Sequence, residues 1–233
     1  GRDALGANTT GAEHVAVGAR ALQTNTTGAD NTAVGFSALE LNTTGSYNTA
    51  VGGHSMIKNT TGIENTSVGT SAMEDNTTGD GNTAVGRSAL ANNTTADSNT
   101  AVGRQALQAN TTGTNNVALG AYALDANTTA SHNTAIGTNA LTLNTTGASN
   151  VSVGRGSLAS NTTANYNTAV GDMALNANTT GTNNTALGKG AGQTQTTLHG
   201  CTWVGTDAGR VKIASNKTGV GAGLSLIHIS ETT

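Results

Sequence analysis

The side chains that could do chemistry in this chain are few, and they do not recur together. The histidines are His14, His54, His132, His199 and His228. A metal site needs several ligands at matched spacing, and a catalytic site needs unlike residues that converge on one place. The five histidines occupy unrelated positions in the pattern described below. We therefore expect solvated histidines, with no catalytic residues, no metal site, no bound cofactor and no enzyme activity.

Three local motifs invite a chemical interpretation, and each has a simpler one. The segment 188–192, Gly-Lys-Gly-Ala-Gly, has glycines like those of a phosphate-binding loop, but no helix start follows it. The acidic pair Glu74-Asp75 occurs once, and it is interpreted as a solvent-exposed pair on the surface. Cys201 is interpreted as a small buried side chain beside Trp203 rather than a catalytic thiol. As the one cysteine of the chain, it can form no intrachain disulfide.

The triplet Asn-Thr-Thr is formally an N-glycosylation sequon, and it occurs in eleven copies. Asn65-Thr66-Ser67 and Asn150-Val151-Ser152 are further sequons of different sequence. The sequence leaves open whether these asparagines carry sugar. A bacterial or phage source predicts bare side chains, whereas an archaeal or eukaryotic source predicts a regular row of glycans.

The triplets belong to a strict repeat of 17 residues. They begin at Asn8, Asn25, Asn42, Asn59, Asn76, Asn93, Asn110, Asn127, Asn144, Asn161 and Asn178, and Gln195-Thr196-Thr197 keeps the phase with asparagine replaced. A fixed short period without insertions indicates one structural unit stacked on copies of itself. Equivalent positions of successive repeats are called columns below and are named by one member.

Three columns carry the pattern. The Gly35 column is glycine in every copy, and the column before it, that of Val34, is always aliphatic. The Leu39 column is leucine or methionine until it becomes glycine at Gly192 and Gly209. Charged residues fall in the columns that vary. The pattern therefore separates a fixed inner set from a free outer set.

These columns predict an all-β protein, a parallel β-solenoid with two short strands per turn. Thr-Ala-Val-Gly suits a strand, and Asn-Thr-Thr-Gly suits a turn. The invariant glycine is expected at a corner, with positive φ or with a neighbouring backbone too close for a side chain. Stacking at about 4.8 Å per turn puts like on like, which gives an asparagine ladder, a file of valines and a rod roughly 60 Å long.

Composition excludes several classes of protein. The net charge is −3 with no basic cluster, which argues against nucleic-acid binding. No run of about 18 apolar residues is present, so we expect no membrane-spanning segment. Aromatic residues make up 2% and charged residues 10%, both low for a globular core. We expect the backbone ladder and association with other chains to supply much of the stability.

The repeat predicts a rod over residues 1–222 and a non-repeat tail over 223–233. Gly1 already occupies the glycine column, as in a piece of something longer. Near the other end the period slips, and the segment 216–221, Asn-Lys-Thr-Gly-Val-Gly, is expected as a last strand one residue early. The segment 224–231, Leu-Ser-Leu-Ile-His-Ile-Ser-Glu, fits no column. It resembles the translation of a sequencing adapter, and a capping strand is the alternative.

The columns Asn-Thr-Ala-Val-Gly-x-x-Ala-Leu, as at 31–39, 82–90 and 133–141, resemble the Ser-Val-Ala-Ile-Gly-x-x-Ala head repeats of YadA-like trimeric autotransporter adhesins. The segments 184–192 and 203–209 are similar to repeats of bacterial and phage tail-fibre proteins. The resemblance covers roughly residues 1–222, with a longer period here. It implies a left-handed β-roll, three chains around one axis, and an extracellular place on a cell or virion surface.

One feature of the strand also predicts self-association. Alternation puts Val34 and Ala33 on opposite faces. If Val34 faces the core, Ala33 faces outward in a column that stays alanine or serine from Ala16 to Ala186. Such a file suggests a second chain packed against it. The alternative is that alanine faces a narrow corner inside the same chain.

The sequence thus predicts a structural surface fibre segment, an adhesin head or stalk or a tail-fibre shaft, that gives reach and presents binding surfaces. A host-surface or matrix ligand would contact variable side chains such as Phe36, Tyr47, Tyr122 and Tyr166, or a tip elsewhere. One alternative is an ice-binding solenoid using the Thr43 and Thr44 ranks, although neighbouring residues of a strand point to opposite sides. Another is a subunit that polymerises end to end into a filament.

Overall fold

The chain forms a single parallel sheet with one short strand in each turn of a β-solenoid. The structure is a computed structural model that describes residues 1–210 and 215–223. Within that part there is no helix, and thirteen strands follow one another in chain order. The strands are Val15–Val17 (β1), Thr32–Val34 (β2), Thr49–Val51 (β3), Thr66–Val68 (β4), Thr83–Val85 (β5), Thr100–Val102 (β6), Val117–Leu119 (β7), Thr134–Ile136 (β8), Val151–Val153 (β9), Thr168–Val170 (β10), Thr185–Leu187 (β11), Thr202–Val204 (β12) and Thr218–Val220 (β13).

The strand register confirms the stacking of like on like. Thr32, Ala33 and Val34 pair with Thr49, Ala50 and Val51, and the same offset holds up to β12. The last step pairs Thr202 with Thr218, which confirms the predicted slip of one residue. The tail residues 224–233 and their two interpretations lie outside the described residues.

The prediction of two strands per turn is wrong, because the second half of each turn is not extended. Ser37 and Leu39 have φ values of 56° and 50°, and Tyr47 has 61°. The left-handed region costs a residue with a side chain roughly 1 kcal/mol. Hydrogen bonds to neighbouring turns offset that cost. The backbone N–H groups of Ser37 and Leu39 donate to Ala19 O at 2.9 Å and to Ser55 O at 3.1 Å.

The glycine column meets both conditions expected of it. Gly35 has φ +142°, and a Cβ placed on it would lie 2.5 Å from the carbonyl oxygen of Gly52 in the next turn. No side chain fits there, since real Cβ atoms do not approach backbone that closely. The columns of Ala33, Ala38 and Leu39 fill the interior, and all three residues are fully buried.

Candidate functional site

The outward face of the sheet carries two files of β-branched side chains, and we call it the Thr/Val face. It is formed by the Thr32 column and the Val34 column of all thirteen strands. In β2 the central Ala33 is buried while Thr32 and Val34 are partly exposed. At the ends of the sheet Val17 is 56% exposed and Val220 is 60% exposed.

This face corrects the predicted orientation of the strand. Val34 does not face the core, and the Ala33 column does not form an outer face, because Ala33 is fully buried. The reason is space: the Leu39 column already fills the narrow interior, so only a small residue fits opposite it. Alanine faces inward, as the alternative prediction had it, so the described strands have no outer alanine file that would favour self-association. The apolar column on the outside of the sheet is that of Val34.

The Thr/Val face bears no charge. Its Thr32 column contains threonine or valine, and its Val34 column contains valine, leucine or isoleucine. Thirteen strands at about 4.8 Å extend the face to about 58 Å. The Val34 column makes its apolar part continuous along the rod, and large exposed apolar patches often mark interaction sites. The face is therefore the candidate functional site of this molecule.

Charged side chains lie in the columns that vary, where they pair along the rod. Arg155 bonds Asp172 in the next turn at 3.0 Å, and this contact lowers the pKa of the Asp172 carboxyl. Lys58 bonds Asp75 at 2.7 Å, which raises the pKa of the lysine. Both are exposed pairs, whose contribution to stability is small. They support the stacking without forming a binding pocket.

Two asparagine ladders run through the rod. In the Asn42 column, Asn42 Nδ2 donates to Asn25 Oδ1 at 2.8 Å, and the contact repeats turn after turn. In the Asn31 column, Asn31 Oδ1 accepts from the backbone N–H of Asn48 at 3.0 Å. These asparagines are fully buried. The predicted amide ladder is confirmed, and a second ladder accompanies it.

Burial of the ladders bears on the glycosylation sequons. Asn42, Asn65 and Asn150 are fully buried, and the Nδ2 of each donates a hydrogen bond. A glycan attached to Nδ2 would have to leave through the neighbouring turns. The folded rod therefore has no accessible acceptor at these sequons.

The two threonines of the triplet have different environments. The Thr43 hydroxyl donates to the carbonyl oxygen of Thr60 at 3.0 Å, and the backbone N–H groups of Thr43, Thr44 and Gly45 converge on the same oxygen. Thr44 is exposed, as is its column from Thr10 to Thr197. An array of both threonines on one face is therefore wrong. The threonines that share a face with a second regular file are those of the Thr32 column.

The residues considered for chemistry remain apart in the structure. Among the described residues, no three of the His, Cys, Asp and Glu side chains gather as metal ligands would. The His14 ring accepts from Asn31 N–H at 3.3 Å in place of a ladder asparagine, while His199 accepts from Thr182 N–H at 3.0 Å. His132 is exposed, and His228 lies outside the described part. Cys201 is buried, as predicted, and Trp203 is buried as well.

The four aromatic side chains proposed for ligand contact are not brought together. Phe36, Tyr47 and Tyr166 are 50%, 62% and 63% exposed. Phe36 contacts the ring of His54 at 5.3 Å, and Tyr122 lies under the guanidinium of Arg104 at 4.6 Å. No two of the four form a ring pair. The alternation of side chains along the strand could have revealed the Thr/Val face from the sequence if alanine, rather than valine, had been assigned to the interior.

Comparison with known proteins gives no assignment: no family model, no curated protein and no solved structure matches this chain. In the part of the chain that the structure describes, no helix is long and apolar enough to cross a membrane.

Proposed function

We propose that this chain is a structural, non-enzymatic segment of a surface fibre, in which three copies pack their Thr/Val faces around one axis. The observation that carries the proposal is the uncharged Thr/Val face along the whole described rod. A stack that repeats the same side chains offers length and rigidity rather than a converging catalytic site. Its job is reach and the presentation of binding surfaces, outside the cell or on a virion.

The size of the face supports association of several copies. A strip about 58 Å long and about 12 Å wide has an area of about 700 Å² per copy, close to the roughly 800 Å² that each partner buries in a standard interface. Valine and threonine methyl groups suit such a dry contact. The resemblance to trimeric adhesin head repeats supports three copies rather than two.

The test is the oligomeric state of the full chain, measured by light scattering after size-exclusion chromatography and by native mass spectrometry. We expect a trimer for the wild type. The double variant Val85→Glu/Val102→Glu, on the Thr/Val face, is expected to be monomeric because it buries charge at the interface. The matched control Thr78→Glu/Thr95→Glu, in the exposed Thr44 column, is expected to stay trimeric. A monomeric wild type would contradict the proposal.

Ice binding is the second candidate, and one observation favours it. Thr32 and Val34 point outward from the same strand, so the face is a regular array of hydroxyl and methyl groups spaced about 6.7 Å along the strand and about 4.8 Å between strands. Such an array could order water on an ice plane if no other copy covers it. A monomeric chain that shapes ice crystals, and that loses this effect in Thr83→Lys but not in Thr78→Lys, would replace the fibre proposal.

End-to-end growth is the remaining alternative. Electron microscopy distinguishes it, because filament subunits form continuous fibres whose length rises with concentration. The fibre-segment proposal instead predicts short rods of one length.

A further inference from the structure

A chain of near-identical turns has a problem of register. Every turn offers its neighbour the same ladder, the same alanine and leucine columns and the same strand. If one 17-residue turn looped out, the turns on either side of it could still stack with the same kind of contacts. Uniform sequence therefore specifies the fold of each turn but only weakly specifies which turn pairs with which.

The core departs from uniformity around Trp203. This residue stands in the Ala33 column, and it is fully buried. The nearby positions of the Leu39 column are Gly192 and Gly209. A Cβ on Gly192 would lie 2.9 Å from Trp203 Cε3, and a Cβ on Gly209 would lie close against Trp203 Cδ1. The indole therefore occupies the space that two leucine side chains fill elsewhere.

The large indole of Trp203 fits only against a neighbouring turn that has glycine in the Leu39 column. If the turn holding β11 were skipped, Trp203 would stack beside Leu175 instead of Gly192. Overpacking of that kind forces side chains out of their preferred rotamers and destabilises a core. Conversely, a turn with glycine in place of leucine leaves a cavity unless the indole fills it. The side-chain volumes of the three residues match one another, and no other turn among the described residues offers the same match.

A second pair of core residues shows the same matching between neighbouring turns. Serine replaces alanine at Ser67 in the Ala33 column and at Ser55 in the Ala38 column. Ser55 Oγ donates to Ser67 Oγ at 2.7 Å, and both residues are fully buried. Without Ser55 in the turn below, Ser67 Oγ would keep only its bond to Ala72 O of its own turn, at 2.9 Å. Here, as at Trp203, a departure from the repeat in one turn is paired with a departure in the neighbouring turn.

We infer that Trp203, Gly192 and Gly209 form a register lock, which fixes the pairing of the turns that hold β11 and β12 and so excludes a skipped turn there. The lock sacrifices some stability, since Trp203 Nε1 is buried with no hydrogen-bond partner among the described residues. A polar atom kept in that position is consistent with selection for specificity over stability. The lock is independent of what the rod binds.

Disulfide trapping tests the lock, because it reports which turns are neighbours. The variants carry Cys201→Ala, so that only the introduced thiols react. The pair Lys189→Cys/Thr206→Cys lies in adjacent turns. The pair Asp172→Cys/Thr206→Cys lies two turns apart and becomes adjacent only if the turn between is skipped. Each full-length chain is refolded from denaturant under reducing conditions and then oxidised, and intramolecular cross-links are quantified by peptide mass spectrometry.

With Trp203 in place, we expect the adjacent pair to cross-link at least about tenfold more than the skipped pair, which lies about 9.6 Å apart, beyond disulfide reach. In the regularised core Trp203→Ala/Gly192→Leu/Gly209→Leu, we expect the skipped pair to cross-link several-fold more. An unchanged ratio in the regularised core would overturn the lock.

A transplanted lock keeps the inference testable if the regularised core fails to fold. Ala118→Trp with Leu107→Gly and Leu124→Gly places the same three residue types at the same spacing in the middle of the rod. We expect this triple variant to fold with a second buried indole, seen as doubled blue-shifted fluorescence. Ala118→Trp alone is expected to lose the native circular dichroism signal. Equal behaviour of the two variants would show that the three residues are not matched, which would overturn the inference.

Discussion

Asn31 and Asn42 donate hydrogen bonds to the same acceptor, the carbonyl oxygen of Gly45, at 2.8 and 2.9 Å. The two asparagines belong to different ladders and lie on either side of the turn. Their convergence ties the strand side of the solenoid to its Asn-Thr-Thr side within one layer. The arrangement recurs with Asn48 and Asn59 on Gly62. These layers are thus closed by side-chain amides as well as by the core.

Replacement of a ladder asparagine in the middle of the rod should be strongly destabilising. Asn76 donates to Asn59 Oδ1 at 2.8 Å and to Gly79 O at 3.0 Å, and accepts from Asn93 at 2.8 Å. Asn76→Ala leaves buried groups unpaired, at about 1–3 kcal/mol for each. We expect urea unfolding, followed by circular dichroism, to show a loss of at least about 2 kcal/mol. The control Thr78→Ala, at an exposed hydroxyl, should stay within about 0.5 kcal/mol of wild type.

The ladder should gain stability if it is extended at its end. Asn178 Oδ1 is buried with no hydrogen-bond partner among the described residues, because Gln195, the next member of the column, donates its Nε2 to Gly209 O. Gln195→Asn restores the shorter side chain whose amide can reach Asn178. We expect a gain of about 1 kcal/mol in the free energy of unfolding. No gain, or a loss, would show that the contact of Gln195 with Gly209 matters more than continuity of the ladder.

Two glycines form a matched pair for testing whether the corner of each turn requires glycine. Gly103 has φ +132°, and a Cβ there would lie 2.6 Å from backbone atoms of Gly120. Gly53 has nothing within 4 Å of such a Cβ and no positive φ. Gly103→Ala should therefore lower the thermal unfolding midpoint by many degrees or prevent folding. Gly53→Ala should leave it unchanged or raise it slightly, because alanine has less backbone freedom to lose.

Asp125 should make stability depend on pH. Burial raises the pKa of its carboxyl, although the Thr142 hydroxyl donates to it at 2.8 Å. Since the pKa is higher in the folded than in the unfolded chain, the charged form is destabilising at neutral pH, and this cost fades as pH falls through the folded pKa. Asp125→Asn should therefore be more stable than wild type at pH 7. Thermal unfolding should show the difference shrinking as pH falls towards about 4 and largely gone below that pH; a constant difference would contradict this assignment.

The sequence by itself determined the stack. An exact period of 17 residues puts each side chain on its own copy, which is why the asparagine ladder, the buried Leu39 column, the corner glycines and the shortened last repeat could all be predicted. These features depend on the identity of neighbours along the rod, and a repeat specifies those neighbours directly.

Only the tertiary structure decided what lies inside a turn and what lies outside. Alternation along Thr32-Ala33-Val34 separates two faces but does not say which one meets the Leu39 column. The interior is narrow, so alanine fits inside and valine is left outside, against the usual preference for burying the larger side chain. Likewise, strand propensity could not show that Ser37 and Leu39 adopt positive φ, because hydrogen bonds between turns override the local preference of each residue.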